Sequence, residues 1–125
     1  MAKVVGVGGV FVRARDIESL CAWYVRALGI ELTLETGTIF DRSRGSDFLV
    51  FNFFDRSSTY IGDPARQNVM ANYVVDVLDG LLTHMETCGV EFEPVQVEPY
   101  GRFSWATDPE GNRFELWEPS SADDA

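Results

Sequence analysis

The chain carries one plan twice, and a repeat at fixed spacing limits a fold more than any single motif does. The segments "DIESLCAWYVRALGIE" (residues 16–31) and "DVLDGLLTHMETCGVE" (residues 76–91) match at a constant offset of sixty. Asp16 aligns with Asp76, Ile17 with Val77, Gly29 with Gly89, and Glu31 with Glu91. In each copy an acid suits a helix N-cap, apolar residues recur at helical spacing, and glycine stands where a left-handed C′ residue ends the helix. Helices are therefore predicted over 16–28 and 76–88, with Leu20, Cys21, Tyr24 and Leu28 in one stripe and Val77, Leu81, Leu82 and Cys88 in the other.

A strand pattern precedes each helix, "VGVGGVFVRA" and "QNVMANYVV", and three follow it. In the first copy these are "IELTLE", "TIF" and "DFLVFNFF"; in the second they are "VEFEPVQVE", "RFSWAT" and "RFELW". The prediction is an α+β fold of two β-α-β-β-β modules forming an open, curled mixed sheet. Residues 1–125 make a single domain, with module one at about 4–54, a linker at 55–66 and module two at about 67–119.

Composition removes several function classes. A net charge of −10 offers no basic surface to release counterions from a phosphate backbone, so no nucleic-acid partner is expected. No apolar run reaches the ~18 residues of a membrane span. "MAKVVGVGGV" lacks the pattern of a secretory signal, so a cytoplasmic protein is expected, with no membrane partner. Cys21 and Cys88 have no zinc spacing and are expected as reduced core residues.

The C-terminal stretch "GRFSWATDPEGNRFELWEP" reads as a hairpin, Asp108-Pro109-Glu110-Gly111-Asn112 supplying the turn. Together with "ARDIESLCAWYVRALGIEL" and the repeat, this stretch resembles the vicinal oxygen chelate superfamily of glyoxalases, bleomycin-resistance proteins and extradiol dioxygenases. The likeness runs from about Val4 to Pro119. It implies paired modules forming an open barrel, ligands bound inside it, and a homodimer.

Many members of that family hold a divalent metal with His and Glu side chains from the first and last strands of each module. Glu115 matches the family's metal-binding glutamate. The other three positions do not fit: Gly9 in the first strand, Val69 or Met70 in its counterpart, and Leu49, which internal symmetry aligns with Glu115. One carboxylate does not make a coordination sphere, so no metal site and no cofactor are expected. His84, the only histidine, lies on a helix expected to pack outside the sheet, away from the cleft.

With Glu115 facing the cleft, strand alternation brings Arg113 and Trp117 to the same side. The same alternation turns Phe11 and Arg13 inward, and Leu49, Phe51 and Phe53 with them. Asn72 or Tyr73, and Trp105 or Ser104, reach the cleft from module two; the linker "STYIG" resembles those of glyoxalase-related members, which implies that Tyr60 closes over a ligand at the cleft mouth, with a solvent-exposed linker tyrosine as the alternative. The candidate ligand-binding residues are thus Phe11, Arg13, Phe51, Tyr60, Asn72, Trp105, Arg113 and Trp117, with Glu115 as candidate catalytic residue.

Three roles stay open for Glu115: an ion pair with Arg13 or Arg113, an anchor for a cationic ligand, or a general base. Two functions follow. One is metal-independent binding of a small aromatic or cationic molecule, in the manner of bleomycin-resistance proteins. The other is a glyoxalase-like lyase or isomerase using Glu115 as acid/base or in an atypical metal site.

Overall fold

A computed structural model describes residues 2–33, 37–40 and 48–120. Its elements run β1 (Val4–Ala14), α1 (Ile17–Leu28), β2 (Thr38–Phe40), β3 (Leu49–Asp55), β4 (Val69–Val75), α2 (Leu78–Thr87), β5 (Gln96–Glu98), β6 (Gly101–Thr107) and β7 (Arg113–Pro119). The fold class is as expected, α+β, each copy running strand, helix, strands, with two strands after α1 and three after α2 among the described residues. The strand expected at "IELTLE" is not formed over residues 30–33, where there is only an isolated bridge from Thr33 to Gly37; its last two residues lie outside the described residues. "VEFEPVQVE" divides into a bridge at Phe92 and the short β5, because Pro94 between them has no N–H to give a ladder.

The chain divides into a central unit, Gly9–Met70, and a terminal unit, Met1–Gly8 with Ala71–Ala125. Strand order is β2-β3-β1 in the central unit and β1-β4-β7-β6-β5 in the terminal one, so the long strand β1 lends a half to each.

In the central unit β1 runs parallel to β3, pairing Gly9 with Val50, Phe11 with Asn52 and Arg13 with Phe54. One face of β3 receives α1, where Tyr24 packs against Phe51 and Phe53 at centroid distances of 5.6 and 5.2 Å. On the other face Phe11 meets Phe54 edge-on at 5.7 Å and packs with the fully buried Ile61 and Met70. The linker folds over this second face, because Arg13 donates to the carbonyls of Arg56, Ser58, Gly62 and Gln67.

In the terminal unit β4 is parallel to β7, and β6 is antiparallel to both β5 and β7. The helix side of this sheet is a core of Val75, Leu78, Leu82 and Leu116, with Tyr73, Phe92 and Phe114 around it. Alternation along "RFELWEP" then sends Arg113, Glu115 and Trp117 to the opposite face.

The two helices begin differently despite their repeat. Asp16 caps α1, its Oδ1 accepting from Ser19 N at 3.1 Å. Asp76 was expected to do the same, but α2 starts two residues later, with Val77 at the N-cap and no side-chain cap of its own. Asp76 Oδ1 instead accepts from Lys3 N and Val77 N, and the first turn of α2 is capped from β7: Leu78 N donates to Glu118 Oε1 at 2.7 Å. A carboxylate forty residues away thus serves the orphan donor that a local cap ordinarily takes. Gly29 and Gly89 close the helices at φ 68° and 77°, as their positions predict.

Three stripe residues are corrected. Cys88 is exposed, because the helix has ended at Thr87 and Cys88 sits in the C-cap, whereas Cys21 is buried as expected. Val77 and Leu28, at the two helix ends, are likewise exposed.

The hairpin turn is held by Asp108, whose carboxylate accepts from the backbone N–H of Glu110 and Asn112 and from the Asn112 amide. The Asn112 backbone bond, with its side chain next, holds Asp108 below its ordinary value of 3.8. A group depressed on folding contributes stability above its unfolded pKa and loses it as pH falls through the folded one. Asp108→Asn is therefore expected to flatten the loss of stability below about pH 4 in acid unfolding followed by circular dichroism. Leu116→Ala, at 2% exposure, is expected to cost about 2–5 kcal/mol in urea unfolding.

Candidate functional site

Glu115 lies mid-strand in β7, level with Asn72 on β4 and Trp105 on β6. Both neighbours turn donors toward it. Asn72 Nδ2 donates to Oε1 at 2.5 Å, and Trp105 Nε1 donates to Oε2 at 2.8 Å. Glu115 and Asn72 are each 3% exposed, so the carboxylate is removed from water and hydrogen-bonded in its place. Arg13 spends its guanidinium on linker carbonyls, and Arg113 pairs with Glu93.

Aromatic residues fill the rest of this face. Phe103 stands opposite Trp117 and beside Trp105, with centroids at 6.1 and 6.2 Å and ring planes within 2° and 16° of parallel. Trp117 Nε1 donates to Tyr100 O at 3.0 Å, which fixes its ring. Gly8 from β1 closes against the group. A Cβ there would stand 2.6 Å from Asn72 Oδ1 and 2.8 Å from both Trp117 and Val74. Only glycine permits that approach.

Asn72 Oδ1 is buried beside Gly8 and accepts no hydrogen bond among the described residues. Turning the amide over would set its oxygen against the carboxylate, so Glu115 selects the orientation in which Oδ1 faces Gly8.

A groove of about 670 Å³ runs beside this face in the terminal unit, lined among others by Val90, Phe92, Trp105, Glu91, Glu93 and Asp108. Its outer wall is tied to β6 by Glu93 N donating to Trp105 O at 2.9 Å and Ser104 Oγ donating to Glu93 O at 2.7 Å. Those bonds set the Glu93 carboxylate beside Trp105, where Arg113 meets both. The guanidinium pairs with Glu93, and its carbon stands 5.6 Å from the Trp105 ring centroid.

The structure therefore gathers four of the nine residues singled out from sequence, Asn72, Trp105, Glu115 and Trp117, with Arg113 at their edge. Of the pairs left open, Asn72 and Trp105 face the site, while Tyr73 packs on Phe114 and Ser104 bonds to Glu93. Phe51 is a correction. It was expected to share a face with Phe11, but it packs on Tyr24 of α1, as does Phe53. Symmetry had matched Leu49 to Glu115, and a slip of one residue exchanges the two faces of a strand. Phe11, Arg13 and Tyr60 belong to the central unit, where Tyr60 stacks on Phe54 at 5.3 Å.

The residue of β4 beside Glu115 is Asn72, one of the two expected at the cleft; Val69 and Met70, the positions aligned with Gly9, lie at the start of the same strand. Sequence reasoning also passed over Phe103 and Glu93. Phe103 was legible, two residues from Trp105 on one strand; Glu93 was not, because it reaches the site only through the pairing of residues 92–93 with β6.

The family model for the Glyoxalase/Bleomycin resistance protein/Dioxygenase superfamily matches residues 6–116. The chain belongs to this superfamily. Solved structures share its fold. Methylmalonyl-CoA epimerase from Mycobacterium tuberculosis matches at 18% identity, with a TM-score of 0.65, 94% of this chain and 90% of that one covered. A Streptomyces coelicolor methylmalonyl-CoA epimerase in complex with 2-nitronate-propionyl-CoA matches at 11%, with a TM-score of 0.64 and coverage of 95% and 100%. A glyoxalase/bleomycin resistance protein/dioxygenase superfamily member from Vibrio splendidus 12B01 matches at 12%, with a TM-score of 0.58 and coverage of 94% and 99%. No curated protein sequence matches significantly.

The donor set around Glu115 does not fit a divalent metal. Both carboxylate oxygens face N–H donors, the space beside Asn72 is taken by Gly8, Val74 and Trp117, and no cluster of three or more His, Cys, Asp or Glu that could hold a metal occurs among the described residues. His84 lies on α2 beside Cys88 Sγ, at 3.7 Å. No helix among the described residues is long and apolar enough to cross a membrane.

Glu115→Leu strands two buried donors and is expected to cost about 2–5 kcal/mol in urea unfolding; Glu115→Gln, which keeps one acceptor, is expected to cost about 1–3 kcal/mol. Nickel, zinc or manganese titrated calorimetrically into the protein is expected to give no stoichiometric heat.

Proposed function

We propose that the protein is a metal-independent small-molecule binder that takes an organic cation with a flat apolar body into the groove beside Trp105. The observation carrying this reading is the composition of that groove. Trp105, Phe92 and Val90 supply apolar surface, and Glu91, Glu93 and Asp108 supply negative charge, of which Glu93 is paired with Arg113 at the groove's edge. Its volume of about 670 Å³ falls in the range of small-molecule sites. The chain's net charge of −10 adds a favourable long-range field for a cation. Glu115 then serves to hold Trp105 in place, since the indole N–H is committed to its Oε2.

Flat aromatic cations are expected to quench tryptophan fluorescence saturably, and neutral analogues of the same shape to bind more weakly. Raising ionic strength or substituting Glu91→Gln is expected to weaken binding by about 2- to 5-fold, since exposed charges act through a screened field. Equal affinity for cations and neutral analogues ends this reading.

A second reading is an isomerase or epimerase in which Glu115 moves a proton. It is favoured by a buried carboxylate held by two donors on a fold shared with methylmalonyl-CoA epimerases. Coenzyme A esters carry phosphate groups, which the acidic groove disfavours. Deuterium exchange into methylmalonyl-CoA that is present in the native protein and lost in Glu115→Gln would select this reading over the first.

A homodimer is part of the proposal, supported by the exposed Val4, Val5 and Val7 of β1. Sedimentation of a single 14.0 kDa species at micromolar concentration would refute it.

A further inference from the structure

The groove beside Trp105 has a cation at its edge already, and the chain supplies it. Arg113 and Trp105 are diagonal neighbours on one sheet face, since Trp105 pairs with Glu115 and Thr107 with Arg113. Side chains so placed reach one another, and the Arg113 guanidinium carbon stands 5.6 Å from the Trp105 ring centroid. Its charge is met by Glu93, and both Glu93 and Trp105 line the groove. An indole face with a carboxylate beside it is what a flat organic cation needs, and here a flat cation holds it.

We propose that Arg113 is a built-in competitor: it occupies the Trp105–Glu93 cation site, and a ligand's guanidinium or amidinium group enters by displacing it. The inference rests on the binding function proposed above and sharpens it, because the resident group gives the shape and charge of the group that replaces it. The exchange is open to the structure. The Glu93 side chain is 51% exposed and that of Arg113 21%, so the pair opens to water on the Glu93 side, where the guanidinium leaves while β7 keeps its ladder. A ligand cation that takes over the bond to Glu93 leaves that carboxylate paired, so the exchange strands no charge. Affinity is then reduced by the fraction of molecules in which Arg113 fills the site, and removing the competitor restores it. Ligands without a delocalised cation gain nothing from the displacement, which makes Arg113 a specificity-determining residue.

The test uses benzamidine as probe, titrated by tryptophan fluorescence and by calorimetry into the full chain. Arg113→Gln is expected to bind benzamidine about 5-fold more tightly than the native protein, the factor an exposed cation–π contact supplies. Arg26→Gln makes the same charge change on α1, outside the terminal unit, and is expected to leave affinity unchanged. Arg113→Lys, which keeps charge but not the flat fork, is expected to gain about 2-fold and serves should Arg113→Gln not fold. Native protein that binds benzamidine while Arg113→Gln and Arg113→Lys bind no better overturns the competitor and leaves the binding function standing. An equal gain in Arg26→Gln overturns it too, since net charge would then account for the effect. No binding by any form overturns both.

Discussion

A carboxylate taken out of water has to be hydrogen-bonded, and the terminal unit is arranged around that requirement at Glu115. The donors come from the strands on either side, Asn72 on β4 and Trp105 on β6, so satisfying the charge also fixes the register of three strands. Once Trp105 is held by its N–H, its ring becomes a fixed wall. Phe103 and Trp117 extend that wall, and Gly8 lets β1 approach it closely. Replacing any one member disturbs the others, because each acts through a neighbour's orientation.

The same constraint makes the surroundings of Glu115 a poor fit for a divalent metal. A chelating carboxylate needs free lone pairs and further ligands converging on one point. Glu115 directs both oxygens at N–H donors, and its neighbours are an amide, an indole and a glycine. The superfamily's scaffold is present, and the carboxylate of Glu115 is engaged in hydrogen bonds from Asn72 and Trp105. What remains open to chemistry is the adjoining groove, where acidic side chains and Trp105 meet a resident guanidinium.

The repeat was used differently by the two copies. In the central unit the β1 and β3 face turned away from α1 is filled by Phe11, Phe54, Ile61 and Met70, and Arg13 ties the linker over it. In the terminal unit the corresponding face carries the buried polar network. Capping diverged likewise: Asp16 caps its own helix, whereas Asp76 is drawn to Lys3 and Glu118 caps α2 from another strand. Equivalent sequence positions thus acquired unlike partners, since a hydrogen bond is made to whatever donor lies nearest in space.

Local pattern by itself determined much of this protein. Helical spacing, capping acids and terminal glycines marked α1 and α2, and the alternation in "RFELW" placed Arg113, Glu115 and Trp117 on one face because polar and apolar residues there take turns. "LVFNFF" offered less contrast: Asn52 is its one polar residue and both faces carry phenylalanine, so local pattern chose weakly between Phe51 and Phe54, and α1 decided it through Tyr24. Only tertiary structure could assign Asn72 and Trp105 to Glu115, Glu93 to Arg113, and Glu118 to the start of α2. Those pairings depend on strand register and loop return, which arise from contacts between residues far apart in the chain and leave no periodic trace within any one segment.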